Sequence, residues 1–295
     1  MGAASGGGGE AVRQAVEGTV GAAISAIRPV SGGDIAQAFR VELSGGANAL
    51  FAKTLPSPPP GFFAAEARSL RALADAGTDG VPVPSVVAVS DEAIVLDWID
   101  AGSPTPARAD EFGRRLAATH AVGSPAFGGD DGYIGTLPLP GGPWETWTAM
   151  WTEGRVLPYV RSASDAGALS ATDRRDIENL LRRLDEVAGP PEPPALIHGD
   201  LWGGNVIWAA SGPAHLIDPA AHGGHRETDL AMLALFGLPH LDRVFAAYHD
   251  TVPLAEGWRD RVALHQLHPV LVHAVLFGGS YGSHAGGLAR QVLRV

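Results

Sequence analysis

Apolar positions along the 295-residue chain recur at two periods, and the change between them divides it. Over residues 10–26, Val12, Val16 and Val20 stand at helical spacing and predict a short helix. Residues 28–43 and 50–55 read as β-structure, interrupted by glycine turns at Ser31-Gly32-Gly33 and Ser44-Gly45-Gly46. After a proline-rich break at 56–61, Phe63, Ala67, Leu70 and Leu73 restore helical spacing over 62–76, in a helix that carries Glu66. Val81-Pro82-Val83-Pro84 then opens an extended stretch leading to a strand over 93–99. Residues 100–106, rich in Gly, Ser and Pro, read as a linker. The expected organisation is a flexible glycine-rich leader at 1–9, a small sheet-and-helix unit at 10–99 and a larger unit at 100–295.

The larger unit reads as mostly helical. Residues 108–122 and 172–187 carry opposed charged and apolar faces, and 144–161 is an aromatic-rich helix or helix pair, with Trp144, Trp147 and Trp151 at core spacing. The prolines of 189–194 launch a short buried strand, Ala195-Leu196-Ile197, that runs into His198-Gly199-Asp200. Residues 206–208 and 215–217 form an expected hairpin behind that loop, and 229–295 reads as helices punctuated by Gly and Pro. No internal repeat is present.

Composition narrows the function classes. Two lobes suit this length, because one core rarely grows past about 250 to 300 residues. Acidic residues outnumber basic ones by 32 to 21, a net charge of −11 that argues against nucleic-acid binding, which needs a basic face. The chain has no cysteine, which excludes disulfides, thiolate nucleophiles and Cys-ligated zinc. No apolar run approaches the roughly 18 residues of a membrane span, and the N-terminus lacks a secretory pattern. A soluble cytoplasmic protein is expected. Among the 21 cations, Lys53 is the single lysine.

Candidate chemistry concentrates at residues 198–218. Asp200 is followed five residues later by Asn205, and thirteen residues after that, behind the hairpin, comes Asp218. Protein kinases use this arrangement: the first Asp takes or orients the hydroxyl proton, and the Asn and second Asp hold magnesium through hard oxygens. Alone, the same residues could merely close turns. The upstream order favours the kinase reading, since a glycine turn, a lysine on the next strand and a glutamate on the next helix cradle phosphates and form the Lys–Glu pair. No Walker-type Gly-Lys-Ser/Thr occurs. His265, His268 and His273 lack the spacing of a ligand set beside a carboxylate, and they read as packed or solvent-facing histidines, as does His120 at a helix end.

These residues bring the chain into register with a known family. His198-Gly199-Asp200-Leu201-Trp202-Gly203-Gly204-Asn205, Asp218-Pro219-Ala220 and Gly224-His225-Arg226-Glu227-Thr228-Asp229-Leu230-Ala231-Met232 resemble segments of the fructosamine kinase (ketosamine 3-kinase) family. So do Gly135-Thr136-Leu137-Pro138-Leu139, Trp144 and Glu153-Gly154-Arg155-Val156-Leu157-Pro158. That family is related to the aminoglycoside phosphotransferases, within the protein-kinase-like superfamily. The resemblance spans about residues 15–290 and implies a bilobal α+β fold, with an antiparallel sheet plus helix in the small lobe.

The resemblance also implies roles. Asp200 is the base toward a sugar 3-hydroxyl, and Asn205 and Asp218 hold Mg²⁺. Lys53 contacts the ATP phosphates and Glu66 orients it, while residues 31–36, including Gly32, Gly33 and Asp34, cover the phosphates. Asp97, Trp98 and Ile99 form the adenine hinge. Trp202 walls the sugar, His225 and Glu227 shape the substrate side, and His198 and Asp229 brace the catalytic loop. The implied partners are ATP and a glycated amine, free or on a protein; phosphorylation at O3 leads to deglycation. Some members carry a cysteine in the glycine loop, where this chain has Asp34, so thiol switching is excluded. Two alternatives stay open: a kinase of the same fold acting on an aminoglycoside or choline-like substrate, and a non-catalytic nucleotide-binding protein.

Overall fold

The computed structural model describes residues 6–20, 23–31, 35–45 and 49–294. Its N-terminal part consists of α1 (Gly6–Val20), β1 (Ile24–Val30), β2 (Gln37–Leu43), β3 (Leu50–Thr54), α2 (Phe62–Ala74), β4 (Val86–Val89) and β5 (Ala93–Asp97). The five strands make one sheet in the order β1-β2-β3-β5-β4, with every neighbouring pair antiparallel. Strand alternation decides what each face carries. Leu50 and Ala52 of β3, with Val41, Val95 and Phe39, pack under Val12 and Val16 of α1. Phe51 points the other way and joins Ile94, Leu96 and the Phe63, Ala67 and Leu70 stripe of α2. Lys53, two residues after Phe51 and paired with Ile94, therefore shares the face that α2 covers.

The expected helix at 10–26 begins earlier and ends earlier than its apolar spacing suggests. Residues 6–9 of the expected leader belong to α1, and Ile24 and Ile27 are taken by β1, which pairs with β2 through a bulge between Ile24 and Ala26. β-Branched residues at those positions serve a strand as readily as a helix, and the pairing with β2 decides.

Residues 100–106 are stitched rather than loose. Gly102 N–H donates to the Trp208 carbonyl and Ala210 N–H to that of Asp100, each across 2.6 Å. A Cβ at position 102 would lie 2.8 Å from the Ala210 Cα, so the crossing demands glycine. Thr105 then caps α3 (Pro106–Ala121) by accepting from Arg108 N–H, with Pro106 at the first helical turn. There follow β6 (Gly132–Ile134), β7 (Leu137–Leu139), α4 (Trp147–Ala149), a π-helical turn (Met150–Val156), α5 (Leu157–Asp165), α6 (Ala171–Arg182), α7 (Leu184–Val187) and β8 (Ala195–Ile197). The chain ends with β9 (Val206–Trp208), β10 (Ala214–Leu216), β11 (His222–Gly224), α8 (Arg226–Phe236), α9 (Leu241–Thr251), α10 (Val262–Phe277) and α11 (Tyr281–Val292). The expected hairpin is β9–β10. Trp147 and Trp151 are buried, whereas Trp144 precedes the helix and packs against the core from outside it.

Two cores hold this larger part. One joins α5, α6, α10 and α11; the other packs Phe112 and Leu116 of α3 and Val244 and Tyr248 of α9 against the β9–β10 hairpin and Leu201. Leu201, wholly buried, pins the loop that follows β8 and so fixes where its neighbour Asp200 can stand.

Candidate active site

Three separate stretches of chain meet at Lys53. Its Nζ lies 2.6 Å from Glu66 Oε2 on α2 and 2.8 Å from Asp218 Oδ1, in the loop after β10. Burial acts to lower the pKa of this ammonium, but the charges of Asp218 and Glu66 outweigh it and leave the pKa raised, so Lys53 is cationic at any working pH. Asp218 adopts a left-handed backbone (φ 54°), a conformation that Asp tolerates better than most residues and that marks strain at functional sites.

Asp200 closes the loop after β8. Its N–H donates to His198 Nδ1 across 3.2 Å, so His198 carries its proton on Nε2, which donates to the Ile217 carbonyl across 2.9 Å. That neutral form agrees with the lowered pKa that burial gives His198. Asp229 holds the same loop from behind, with Oδ2 accepting from His198 N–H across 2.7 Å and Oδ1 from Gly199 N–H across 3.0 Å. Gly199 has φ 82°, and a Cβ there would strike the Ala220 carbonyl. Behind Asp229, His120 Nε2 stands 3.1 Å from Oδ2 and Nδ1 2.8 Å from the Tyr248 hydroxyl. Burial, then the charges of Asp218 and Asp229, raise the Asp200 carboxyl to about 7, partly offset by a contact from Asn205. A carboxyl near neutrality in a cleft is poised for proton transfer.

Asn205 Nδ2 donates to the Asp200 carbonyl across 2.8 Å and approaches Oδ2 at 3.4 Å, which fixes the amide orientation. Asn205 Oδ1 and Asp218 Oδ2 have no hydrogen-bond partner among the described residues. Two free hard oxygens beside a carboxylate suit Mg²⁺.

The charged and amide groups of Lys53, Glu66, Asp200, Asn205 and Asp218 line one cleft of about 1360 Å³, larger than the roughly 300 to 1000 Å³ of a one-ligand pocket and roomy enough for two substrates. Lys53, Glu66, Asp97, Trp98, Ile99, Asp200, Trp202, Asn205 and Asp218 line it together, although they come from both parts of the chain. Ser31, Ile35 and Ala36 border it as well; Gly32, Gly33 and Asp34 lie outside the described residues. His198 and Asp229 stand behind the loop they brace.

Two expected substrate residues are placed elsewhere. His225 and Glu227 do not reach the cleft: both are buried, His225 capping α8 with Nδ1 accepting from Glu227 N–H, and Glu227 forked by Arg261 across 2.9 and 2.6 Å. Their nearness in sequence to Asp229 drew them toward the site, but the first turn of α8 points them into the α10 side. His225, Glu227 and His265 offer ligand atoms within 4.8 Å of one another, yet the Arg261 fork already neutralises Glu227, so the group is a buried ion pair and not a cation cradle. Conversely, Phe236, His273, Phe277 and Tyr281 line the cleft without belonging to any motif. The one hint in sequence is aromatic side chains at helix ends, where core packing runs out.

This geometry can be set beside known proteins. A family model for fructosamine kinases matches residues 10–295. The chain belongs to the fructosamine kinase family. A Thermus thermophilus protein named "probable ketoamine kinase" is 38% identical over 254 residues, 86% of this chain and 88% of its own. An Arabidopsis thaliana protein named "protein-ribulosamine 3-kinase, chloroplastic" is 30% identical over 285 residues, 92% and 84% of the two chains. A Thermobifida fusca crystal structure described as a candidate fructosamine-3-kinase superimposes with a TM-score of 0.89 at 49% identity, covering 95% of this chain and 97% of its own. An aminoglycoside phosphotransferase follows the same fold with a TM-score of 0.63 at 16% identity over 95% and 96% of the two chains. This member of the family thus has the α+β, protein-kinase-like fold and is a phosphotransferase. Among its described residues, no helix is long and apolar enough to cross a membrane.

Proposed function

We propose that the protein transfers the γ-phosphoryl group of ATP to the 3-hydroxyl of ketosamines, the fructose or ribulose adducts of amines, and so initiates their deglycation. The observation that carries this reading is one cleft in which Asp200, raised to about 7, shares space with Lys53 fixed between Glu66 and Asp218. The ribulosamine 3-kinase name of the Arabidopsis relative supports the acceptor.

In this reading the sugar O3 attacks phosphorus. The O3–P bond forms as the bridging bond to the β-phosphate breaks, ADP leaves with that electron pair, and the O3 proton passes to the Asp200 carboxylate. Lys53 neutralises the α- and β-phosphates, Ser31, Ile35 and Ala36 border the phosphate end, and Asp97, Trp98 and Ile99 receive adenine. Asn205 Oδ1 and the free Asp218 oxygen would hold Mg²⁺, which when bound neutralises phosphate charge. Positioning and charge compensation do most of the work, with little covalent chemistry by the protein. The 3-phosphate then eliminates and frees the amine.

A product-resolved kinase assay over glycated amines, aminoglycosides and amino alcohols tests the proposal. Phosphate at O3 of fructosyl or ribulosyl amines is the expected result; turnover of another hydroxyl substrate with none of these adducts would falsify it.

A further inference from the structure

Five large apolar side chains are exposed among the described residues, and three of them, Trp202 (39%), Phe236 (42%) and Phe277 (51%), line the same cleft. Scattered exposed apolar residues need no explanation, but a contiguous aromatic surface at a catalytic cleft marks a ligand surface. The rings are in fact contiguous. Trp202 meets Phe236 edge-on with centroids 6.0 Å apart, Phe236 lies 5.0 Å from His273, and His273 lies 5.5 Å from Phe277 and 5.1 Å from Tyr281. The wall begins two residues past Asp200 and continues over the end of α8, the end of α10 and the start of α11. It therefore borders the acceptor side of the transfer, with the expected adenine hinge on a different stretch of chain.

One member of the wall is polar, and its hydrogen bonding defines what it offers. His273 Nδ1 lies 2.7 Å from the Pro269 carbonyl, which can only accept, so Nδ1 carries the proton. Burial keeps the ring neutral by lowering its pKa. Nε2 is thus a lone-pair acceptor, and it has no partner among the described residues. The wall carries no Lys or Arg. The cleft's arginines are committed elsewhere, Arg68 to Asp130 and the Asp131 carbonyl, Arg155 to the carbonyls of Pro140 and Gly154. Within the cleft the carboxylates of Glu66 and Asp218 flank the single ammonium of Lys53, and Asp97, Asp130, Asp131 and Asp200 line it as well.

Exposed π-faces, a lone-pair acceptor and surplus negative charge together suit a cation. Resting on the ketosamine reading above, we propose that Trp202, Phe236, His273, Phe277 and Tyr281 form an ammonium subsite that holds the amine half of the substrate. The substrate's protonated secondary amine donates to His273 Nε2, and its alkyl substituent lies along Phe236 and Phe277. The enzyme then selects its substrate by the charged nitrogen as well as by the sugar.

The test compares two ligands that differ only in that nitrogen, 1-butylamino-1-deoxyfructose and its neutral ether isostere, 1-butoxy-1-deoxyfructose. Wild-type protein should favour the amine in KM, or in inhibition constant where the ether is not turned over. Phe277→Ala and His273→Leu should raise the KM for the amine about threefold to thirtyfold, with the change in KM rather than kcat, and should move the ether far less. Phe277 is half exposed, so its truncation opens no core cavity, and thermal melting checks the fold of both variants. Equal losses on amine and ether would mean that the wall packs the sugar or the alkyl chain, and unchanged KM values would mean that it binds neither; both overturn the subsite. If wild-type protein phosphorylates neither ligand, the ketosamine reading fails by itself. The subsite is then decided by calorimetric titration with butylammonium and with butanol: tighter ammonium binding that Phe277→Ala abolishes keeps it, and no difference removes it.

Discussion

Lys53 Nζ and Asp218 Oδ1 stand 2.8 Å apart although 165 residues separate them in the chain. Glu66 closes on the same nitrogen from the other side, so one compact ammonium ties β3, α2 and the loop after β10 together. A guanidinium keeps the charge but spreads it over a planar fork that cannot meet both carboxylates through one nitrogen. Lys53→Arg should therefore lower kcat/KM by about a hundredfold or more while shifting the melting temperature by only a few degrees. Lys53→Met, which leaves two carboxylates facing each other, should also cost on the order of 3 kcal/mol of stability. Steady-state kinetics beside thermal melts separate the two, and near-normal turnover in Lys53→Arg would remove the phosphate role.

Asp200 must be ionised to accept a proton, and its pKa in the free protein is raised to about 7. About a tenth is ionised at pH 6 and about nine-tenths at pH 8. The profile of kcat/KM should accordingly fall with unit slope below about pH 7, and Asp200→Asn should lose that limb along with about 10² to 10⁴ of turnover while still binding ATP. The stability sign is opposite to the usual carboxylate. A raised pKa in the folded state means that Asp200 costs stability as pH rises from about 4 toward 7, so Asp200→Asn should stabilise the protein by on the order of 4 kcal/mol at pH 8 and hardly at all at pH 3. Equal effects at both pH values would contradict the burial that raises the pKa.

Much of this site is legible before any coordinates, because it depends on local order along the chain. Alternation along residues 50–54 already sets Phe51 and Lys53 on one face, and helical phase over 62–76 sets Glu66 where that face is covered. Asp200, Asn205 and Asp218 are linked by a short loop and a hairpin whose lengths leave few alternatives. What fails is placement that depends on tertiary packing. His225 and Glu227 sit within four residues of Asp229, yet the first turn of α8 carries them to Arg261 and His265, a direction that spacing alone does not reveal. The aromatic wall escapes for a related reason: Phe236, His273, Phe277 and Tyr281 come from three helices and belong to no motif, and only the convergence of the helix ends brings them to one cleft.

Glu227 and Arg261 give the buried-pair reading a direct test. Burial opposes ionisation of Glu227, but the Arg261 fork and His265 at 3.4 Å outweigh it and lower the carboxyl to about 2. A depressed pKa contributes stability that is complete above about pH 4.5 and is lost as pH falls toward 2, on the order of 3 kcal/mol in all. Arg261→Ala leaves the buried carboxylate uncompensated and should cost about 3 to 5 kcal/mol. Glu227→Gln should flatten the acid limb of the stability curve between pH 4.5 and 2. Its KM for the sugar acceptor should match wild type; a selective rise in that KM would return Glu227 to the substrate side.

Asp229 positions Asp200 through the backbone of the loop and raises its pKa through charge, and both effects can be measured. Its two oxygens accept from His198 N–H and Gly199 N–H, while His120, backed by the Tyr248 hydroxyl, holds Oδ2 from the far side. Burial opposes its charge, but His120 and His198 outweigh this and hold its pKa below the usual carboxylate range. Asp229→Asn turns one acceptor into a donor that faces a backbone N–H, so the loop must move; the expected cost is about 3 kcal/mol of stability and about 10- to 100-fold in kcat. Tyr248→Phe removes one neutral hydrogen bond at the end of the same chain and should cost about 1 kcal/mol with kcat nearly intact. Because neither residue touches substrate, the pH limb near 7 should persist in both variants, displaced downward in Asp229→Asn as one negative charge near Asp200 disappears. A lost limb would make Asp229 rather than Asp200 the group that takes the proton, and an upward displacement would contradict the charge effect of Asp229 on Asp200.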